Sequence, residues 1–314
     1  MTLAIGIDIG GGSTKIGLVS GDGQLRASRR VVPEHGAGFQ GIASLYAVAI
    51  ADLLGSHTAL PIGVAYPGHI DRAAGLGFNS NVPALDGEPL CAWLGARFGG
   101  PTALLNDADA AAVAESARHA EARMLMVTLG TGIGVAMVVG GVPVVTAGGT
   151  LGDSGHLNLD PAGRYRCRQG CKGCLESLVS AEALARDATD LARTGASPAL
   201  VAELAKSGEV SAAALCQLAL AGDPAAQGLV DAMTDWLAMA IASWRATFHP
   251  DIIVIGGGLS VLGSDFVTVL QTKADARSLP FLAAPSRLAL AELGNDAGMI
   301  GAGLAALKTA TTGD

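Results

Sequence analysis

A glycine-rich turn between two apolar strands occurs twice in this chain, roughly a domain apart, and it limits the fold more than any other feature. The first copy is Leu3–Ile9, Gly10-Gly11-Gly12-Ser13-Thr14, then Ile16–Val19. The second is Met124–Leu129, Gly130-Thr131-Gly132-Ile133-Gly134, then Val135–Val139. A strand that returns as a strand is a hairpin, unlike the strand-to-helix turn of a Walker loop. Without a Cβ, its glycines let backbone N–H groups approach a phosphate closely. A single copy is equally an ordinary turn. Two copies suggest two related lobes, each offering a phosphate loop. Asp8, at the end of the first strand, is either a turn cap or a carboxylate placed to hold Mg2+ through water.

Between and beyond the hairpins, strand and helix signals alternate, which predicts the α/β class. Gly41–Leu54 reads as a helix with Ile42, Leu45, Val48, Ala49 and Leu53 on one stripe. Pro61–Ala65 is a strand ending at Pro67-Gly68, and Asn79-Ser80-Asn81 lies in a loop where Asn serves turns or ligands. Pro89–Phe98 is a helix in which Cys91 reads as core. Thr102–Leu105 is a strand that hands over at Asn106-Asp107 to an Ala-rich helix. In open α/β sheets that junction faces the ligand crevice. Asp107 or Asp109 caps the helix, or Asp107 is a general base that takes a hydroxyl proton as the oxygen attacks phosphorus.

After the second hairpin, Pro143–Thr146 is the next strand. Ala181–Arg193, Pro198–Ala205, Ser211–Ala221 and Pro224–Phe248 are helices, with Trp236, Trp244 and Cys216 as core. His249-Pro250 closes the last of these, because proline cannot continue a helix. Asp251–Ile255 is a strand that turns at Gly256-Gly257-Gly258, where a flat ligand such as adenosine can lie on the backbone. Gly294–Gly298 leads into a final helix, Met299–Leu307.

The segment Gly148–Glu176 is the densest in chemistry. It holds His156, Cys167, Cys171 and Cys174, flanked by Asp153 and Glu176. One imidazole and three thiols form a tetrahedral Zn2+ set; the alternative is three free thiols in a turn. Four protein ligands leave no open position, so the zinc would be structural. Five cysteines, three of them clustered, suit a reducing compartment better than a disulfide framework.

The chain has 314 residues, 50% hydrophobic and 15% charged, enough for two domains with sizeable cores. Its net charge of -8 argues against a nucleic-acid partner. No apolar run of membrane-spanning length stands out, and the first residues lack the pattern of a signal peptide. The expected location is cytoplasmic.

In order, DIGGGSTKIG, AYPG, NSNV, LLNDADAAAVAE, VTLGTGIG, GDSGH, CxxxCxxC with Leu175-Glu176, and PDIIVIGGGLS resemble the ROK family of bacterial sugar kinases, within the actin-like ATPase superfamily. The resemblance spans essentially the whole chain. It implies a two-lobed, ribonuclease H-like fold with the active site in the cleft between lobes. The lobes are expected at 1–115 and 116–298, with the Cys-rich loop at 156–174 and the helix 299–314 packing back on the first lobe. It also implies ATP, Mg2+, a hexose acceptor and a homodimer.

Carried over by position, Asp107 looks like the general base. Gly68, Asn81, Asn106, Asp153, His156 and Glu176 look like sugar contacts, His156 touching zinc as well. Asp8 with Gly10, Gly11, Gly12, Ser13, Thr14 and Lys15 looks like the first phosphate site, and Gly130, Thr131, Gly132 and Gly134 like the second. Gly257 and Gly258 look like the adenosine side.

Asp153 stands where the family usually has Glu, and Gln169 where it has a second cysteine, with Cys171 present instead. The expectation is a glucokinase making the 6-phosphate. The alternatives are an N-acetylglucosamine, N-acetylmannosamine or cyclitol kinase, motivated by Asp153. A ROK repressor would carry a helix-turn-helix ahead of the first hairpin, which here opens within the first ten residues.

Overall fold

The computed structural model describes residues 2–146, 150–151, 153–281 and 286–312. Gly148, Gly149 and Gly152, which open the Cys-rich segment, and residues 313–314 of the expected last helix lie outside the described residues.

The chain forms two compact units. One comprises Met1–Ala122, Ala136–Gly152 and Glu292–Asp314; the other comprises Arg123–Val135 and Asp153–Ala291. In the first unit the order is β1 (Leu3–Ile9), β2 (Thr14–Ser20), β3 (Leu25–Val31), α1 (Phe39–Leu54), β4 (Ile62–Tyr66), β5 (His69–Asp71), β6 (Leu76–Phe78), α2 (Leu90–Phe98), β7 (Thr102–Asn106) and α3 (Asp107–Ser116). Next come β8 (Arg123–Leu129), β9 (Ile133–Val139), β10 (Val142–Pro143), α4 (Glu176–Val179), α5 (Ala181–Arg193), α6 (Pro198–Ser207), α7 (Ala212–Leu220) and α8 (Pro224–Phe248). The chain finishes with β11 (Ile252–Gly256), α9 (Gly263–Asp275), β12 (Arg287–Leu290) and α10 (Ala297–Thr312).

Two five-stranded sheets have the same build: β3-β2-β1-β4-β7 and β10-β9-β8-β11-β12. In the first, β1 and β2 pair antiparallel, with Ile9 opposite Thr14, and β4 and β7 follow in parallel. In the second, β8 pairs with β11 and β11 with β12, both in parallel. The two glycine hairpins thus hold corresponding places in two corresponding sheets. The small pair β5-β6 stands apart from both.

The first unit buries Ile5, Ile7, Ile9 and Ile16 against Ile42, Tyr46 and Ile50 of α1. Val48, expected on the buried stripe of α1, is 71% exposed. Ala47 and Ile50 take its place in the core, because the apolar face lies one position round from the expected one. Helix α10 packs against β1, β2, β4 and α3. It comes this close because glycines face it: a Cβ on Gly63 would lie 1.8 Å from the Ala302 carbonyl oxygen.

In the second unit, α8 packs on α7 and α9, and α9 on β12. Asp223 caps α8, accepting from the Ala226 N–H at 2.9 Å, and Pro224 opens it. The helix ends at His249 in the left-handed conformation (φ 46°), ahead of Pro250. Trp244 is buried as expected, whereas Trp236 is only half-buried. The strand expected at Pro143–Thr146 is shorter and earlier, Val142–Pro143. The Val144 N–H still bonds to Met137, but the Thr146 N–H turns back to the Thr150 carbonyl and ends the ladder. No described helix is long and apolar enough to cross a membrane.

Candidate active site

In the first unit the expected residues gather at the carboxyl ends of β1, β4 and β7. The β1–β2 turn closes with Gly10 N–H on the Ser13 carbonyl at 3.1 Å. A Cβ on Gly11 would lie 3.0 Å from the Asn81 amide, so Asn81 rests directly on this loop. Lys15 donates to Asp8 at 2.9 Å and also to the Asn295 carbonyl just ahead of α10. Ser13 accepts from Arg30 at 3.0 Å. Thr14 is turned away from the loop: its hydroxyl bonds Tyr46 at 2.6 Å inside the core.

Asn106, not Asp107 or Asp109, caps α3. Its side-chain oxygen accepts from the Ala108 N–H at 2.9 Å, while its amide donates to the Gly68 carbonyl at 3.0 Å. One side chain therefore starts the helix and holds the Pro67-Gly68 turn. Asp107 is the first helical residue, and its Oδ1 also accepts from the Ala108 N–H at 2.9 Å. Burial pushes its carboxyl up to about 6; the Ala108 N–H opposes this and the Asp8 charge adds to it. Even so, Asp107 keeps an exposed face. It is a recessed carboxylate that a ligand can still reach, with a proton affinity close to neutrality, as a general base requires.

Asp86 was not singled out from the sequence, where Asp86-Gly87 reads only as a turn. Its carboxylate accepts the Ser80 hydroxyl at 2.6 Å, the Ser80 N–H at 3.1 Å and the Tyr66 hydroxyl. It fixes the loop that carries Asn79 and Asn81. Asn79 holds a left-handed backbone (φ 53°) within that loop.

In the second unit the expected residues converge on Ile133. The Ile133 N–H donates to Glu176 Oε2 at 3.0 Å. A Cβ on Gly155 would lie 2.1 Å from the Ile133 carbonyl oxygen, so the Gly155-His156 turn packs directly on the same residue. The Gly130–Gly134 loop is braced further by Gly130 N–H on Gly132 at 3.0 Å and by Ala181 N–H on Gly130 at 2.8 Å. Thr131 is exposed at its tip. Gly257, at φ 85°, crosses the end of β8: a Cβ there would lie 2.4 Å from the Leu129 carbonyl oxygen. The turn expected at Gly257-Gly258 and the glycine loop after Leu129 therefore adjoin. Asp153 is exposed, and its carbonyl accepts the His156 N–H at 2.8 Å.

His156 Nδ1 lies 3.6 Å from Cys167 Sγ, 3.3 Å from Cys171 Sγ and 3.7 Å from Cys174 Sγ. All four ligand atoms fall within 4.8 Å of one another. Gly170, at φ 92°, turns the chain between Cys167 and Cys171, and the Cys167 N–H closes on the Cys171 carbonyl at 3.1 Å. Burial and the two neighbouring thiols push the Cys171 thiol up to about 12. Three sulfurs and one imidazole nitrogen within this reach of one another form a soft donor set of the kind that fits Zn2+.

The sequence matches the ROK family model over residues 4–309. A glucokinase of Thermotoga maritima is 33% identical over 305 residues, covering 95% of this chain and 95% of its own. A ROK hexokinase of Thermus thermophilus superposes with a TM-score of 0.83 at 30% identity, over 99% of this chain and 100% of that one. A ROK family glucokinase of Streptomyces griseus, solved with glucose and AMPPNP, gives 0.75 at 26% identity over 99% of each chain. The chain belongs to the ROK family, and its fold is the two-lobed actin-like ATPase fold of these structures.

Proposed function

We propose that this chain transfers the γ-phosphate of ATP to a hydroxyl of glucose, giving the 6-phosphate. It is an ATP-dependent sugar kinase. The relatives support ATP and a sugar as its substrates, two of them being named glucokinases and one of these solved with glucose and an ATP analogue. The observation that carries the chemistry is Asp107: a recessed carboxylate at the start of α3, raised to about 6, beside an Asn106 that holds the Gly68 turn.

In this reading Asp107 accepts the proton of the acceptor hydroxyl. The hydroxyl oxygen bonds to the γ-phosphorus as the bond from phosphorus to the leaving ADP oxygen breaks. Positioning and charge neutralisation dominate such transfers, so glycine backbones, a divalent cation and one base suffice. Gly10–Lys15 and Gly130–Gly134 supply N–H groups to the phosphates, and Gly257-Gly258 takes the adenosine. Asp8, oriented by Lys15, is the residue that would hold Mg2+, which would supply charge neutralisation at the phosphates. Gly68, Asn81, Asn106, Asp153, His156 and Glu176 contact the sugar. His156, Cys167, Cys171 and Cys174 would hold a structural Zn2+, which would fix the His156 ring and supply no chemistry to the transfer. The family resemblance supports a cytoplasmic homodimer.

The test is coupled ADP release with Mg-ATP against glucose, mannose, fructose, N-acetylglucosamine, N-acetylmannosamine and a cyclitol. Glucose is expected to give the highest kcat/KM. A preference for an N-acetylhexosamine would place Asp153 as the residue that selects the acceptor and overturn glucose. Silence with every sugar would overturn the kinase reading.

A further inference from the structure

Helix α3 buries two carboxylates completely, Asp109 and Glu115, and treats them differently. Glu115 accepts the Glu292 N–H at 3.0 Å and the Leu293 N–H at 2.8 Å. Neither oxygen of Asp109 has a hydrogen-bond partner among the described residues. Its facing charge is the Arg72 guanidinium, with Nη2 4.0 Å from Oδ2. A buried carboxylate without hydrogen bonds is costly, and folding alone would favour a neutral side chain at this place. Burial pushes its carboxyl up to about 7, with Arg72 opposing and Asp107 adding.

Arg72 sits just past β5, at the turn of the β5–β6 hairpin. That hairpin runs from Gly68 at one end to Asn79–Asn81 at the other, so it joins two expected acceptor contacts. Its first end is tied to the start of α3 by Asn106 on the Gly68 carbonyl, and its second end is tied by Asp86 on Ser80. The Arg72–Asp109 pair is the tie at its turn. It reaches α3 two residues after the base.

We propose that Asp109 is a positioning residue for the acceptor: its buried carboxylate anchors Arg72, and through Arg72 the hairpin that carries Gly68 and Asn81, to the helix that carries Asp107. This inference rests on the sugar-kinase reading. Asp109 touches no substrate in it; its charge is kept because a neutral side chain would not hold the guanidinium.

The test is steady-state kinetics of Asp109→Asn, Arg72→Ala, the double variant and Arg72→Lys, on the best acceptor of the wild-type chain, with melting temperatures taken alongside. Asn keeps the shape of Asp and removes the buried charge, so Asp109→Asn is expected to fold and to melt at or slightly above the wild type. Each of the first two is expected to raise the acceptor KM about tenfold, with the Mg-ATP KM and kcat within about twofold. The double variant is expected to be no worse than either single one, and Arg72→Lys to recover most of the loss. An unchanged acceptor KM in either single variant, or losses that multiply in the double variant, would overturn the inference. So would a fall in kcat or melting temperature without a change in acceptor KM. Should Asp109→Asn fail to fold, Arg72→Ala and Arg72→Lys decide alone. If the wild-type chain phosphorylates no sugar, it is the kinase reading that fails; if it does and the variants match it, only this inference falls.

Discussion

Glu176 Oε2 accepts the Ile133 N–H at 3.0 Å, so the carboxylate expected at the acceptor also pins the second glycine loop. The fit depends on Gly132, where a Cβ would lie 2.5 Å from the same oxygen. A hydrogen bond to a charged group contributes about 1.5–3 kcal/mol. Glu176→Ala is therefore expected to raise the KM for Mg-ATP as well as for the sugar, each by about tenfold or more. Glu176→Gln keeps an acceptor oxygen for Ile133 and is expected to raise the sugar KM alone. Paired KM measurements on the two variants separate the roles. Equal Mg-ATP KM values in both would show that this bond does not shape the nucleotide site.

As the proposed base, Asp107 is expected to set the pH dependence. The base works ionised, and burial raises its carboxyl from the usual carboxylate range to about 6. The log of kcat/KM is expected to fall with unit slope as pH drops through about 6, and to level off above about 7. Stability moves the other way. A raised folded value means that the native state holds this proton more tightly than the unfolded chain does. This group therefore destabilises the fold above pH 6; the penalty shrinks as pH falls from about 6 and is gone below the unfolded value of 3.8. Asp107→Asn removes the acid limb, is expected to melt slightly higher at pH 8, and loses about 10²–10⁴-fold in kcat. A pH-rate profile and a melting curve at two pH values check both signs.

The His156–Cys171 contact, 3.3 Å from Nδ1 to Sγ, belongs to a donor set whose bound metal would order a segment with little apolar content. Metal analysis is expected to find one zinc per chain in the wild type and a large loss in Cys171→Ser. Metal binding to such a set contributes to folding directly, so a strong chelator is expected to lower the melting temperature by about 10 °C or more. Because His156 is both a proposed zinc ligand and an expected sugar contact, the acceptor KM is expected to rise on chelation before the chain unfolds. A chain that holds no zinc and melts unchanged with chelator would refute this reading.

The glycine hairpins were legible because two local signals coincide there: apolar strands, and residues free of side chains between them. The helix start at Asn106-Asp107 was legible for a similar reason, although the cap proved to be Asn106. Strand β3 was not legible. Its LRASRRV is an edge strand whose arginines face solvent, so it lacks an apolar rhythm. Nor was the tie between Asp109 and Arg72, or that of Asp86 to Tyr66 and Ser80, since each depends on residues brought together by β5 and β6. The dense packing of α10 on the first sheet is also long-range, and its hint in the sequence is a set of glycines, among them those at positions 6, 17, 63, 301 and 303.

That packing gives a prediction free of any functional assignment. A Cβ on Gly63 would lie 1.8 Å from the Ala302 carbonyl oxygen, and one on Gly301 would lie 1.7 Å from that of Ala110. Backbone cannot rotate aside as a side chain can, so α10 would have to lift from β4 or α3. Overpacking a tight core costs about 1–3 kcal/mol and sometimes more; with carbonyl backbone in the way, Gly63→Ala is expected at or above the top of that range. In a unit of this size about 3 kcal/mol lowers the melting temperature by roughly 6–12 °C. Gly12→Ala is the matched control, because nothing lies within 4 Å of a Cβ there. It is expected to melt as the wild type does, and to raise the Mg-ATP KM where the added methyl stands between the loop and a phosphate. Thermal melts of the two variants side by side decide the matter. If Gly63→Ala melts like Gly12→Ala, the close seating of α10 on β4 is wrong.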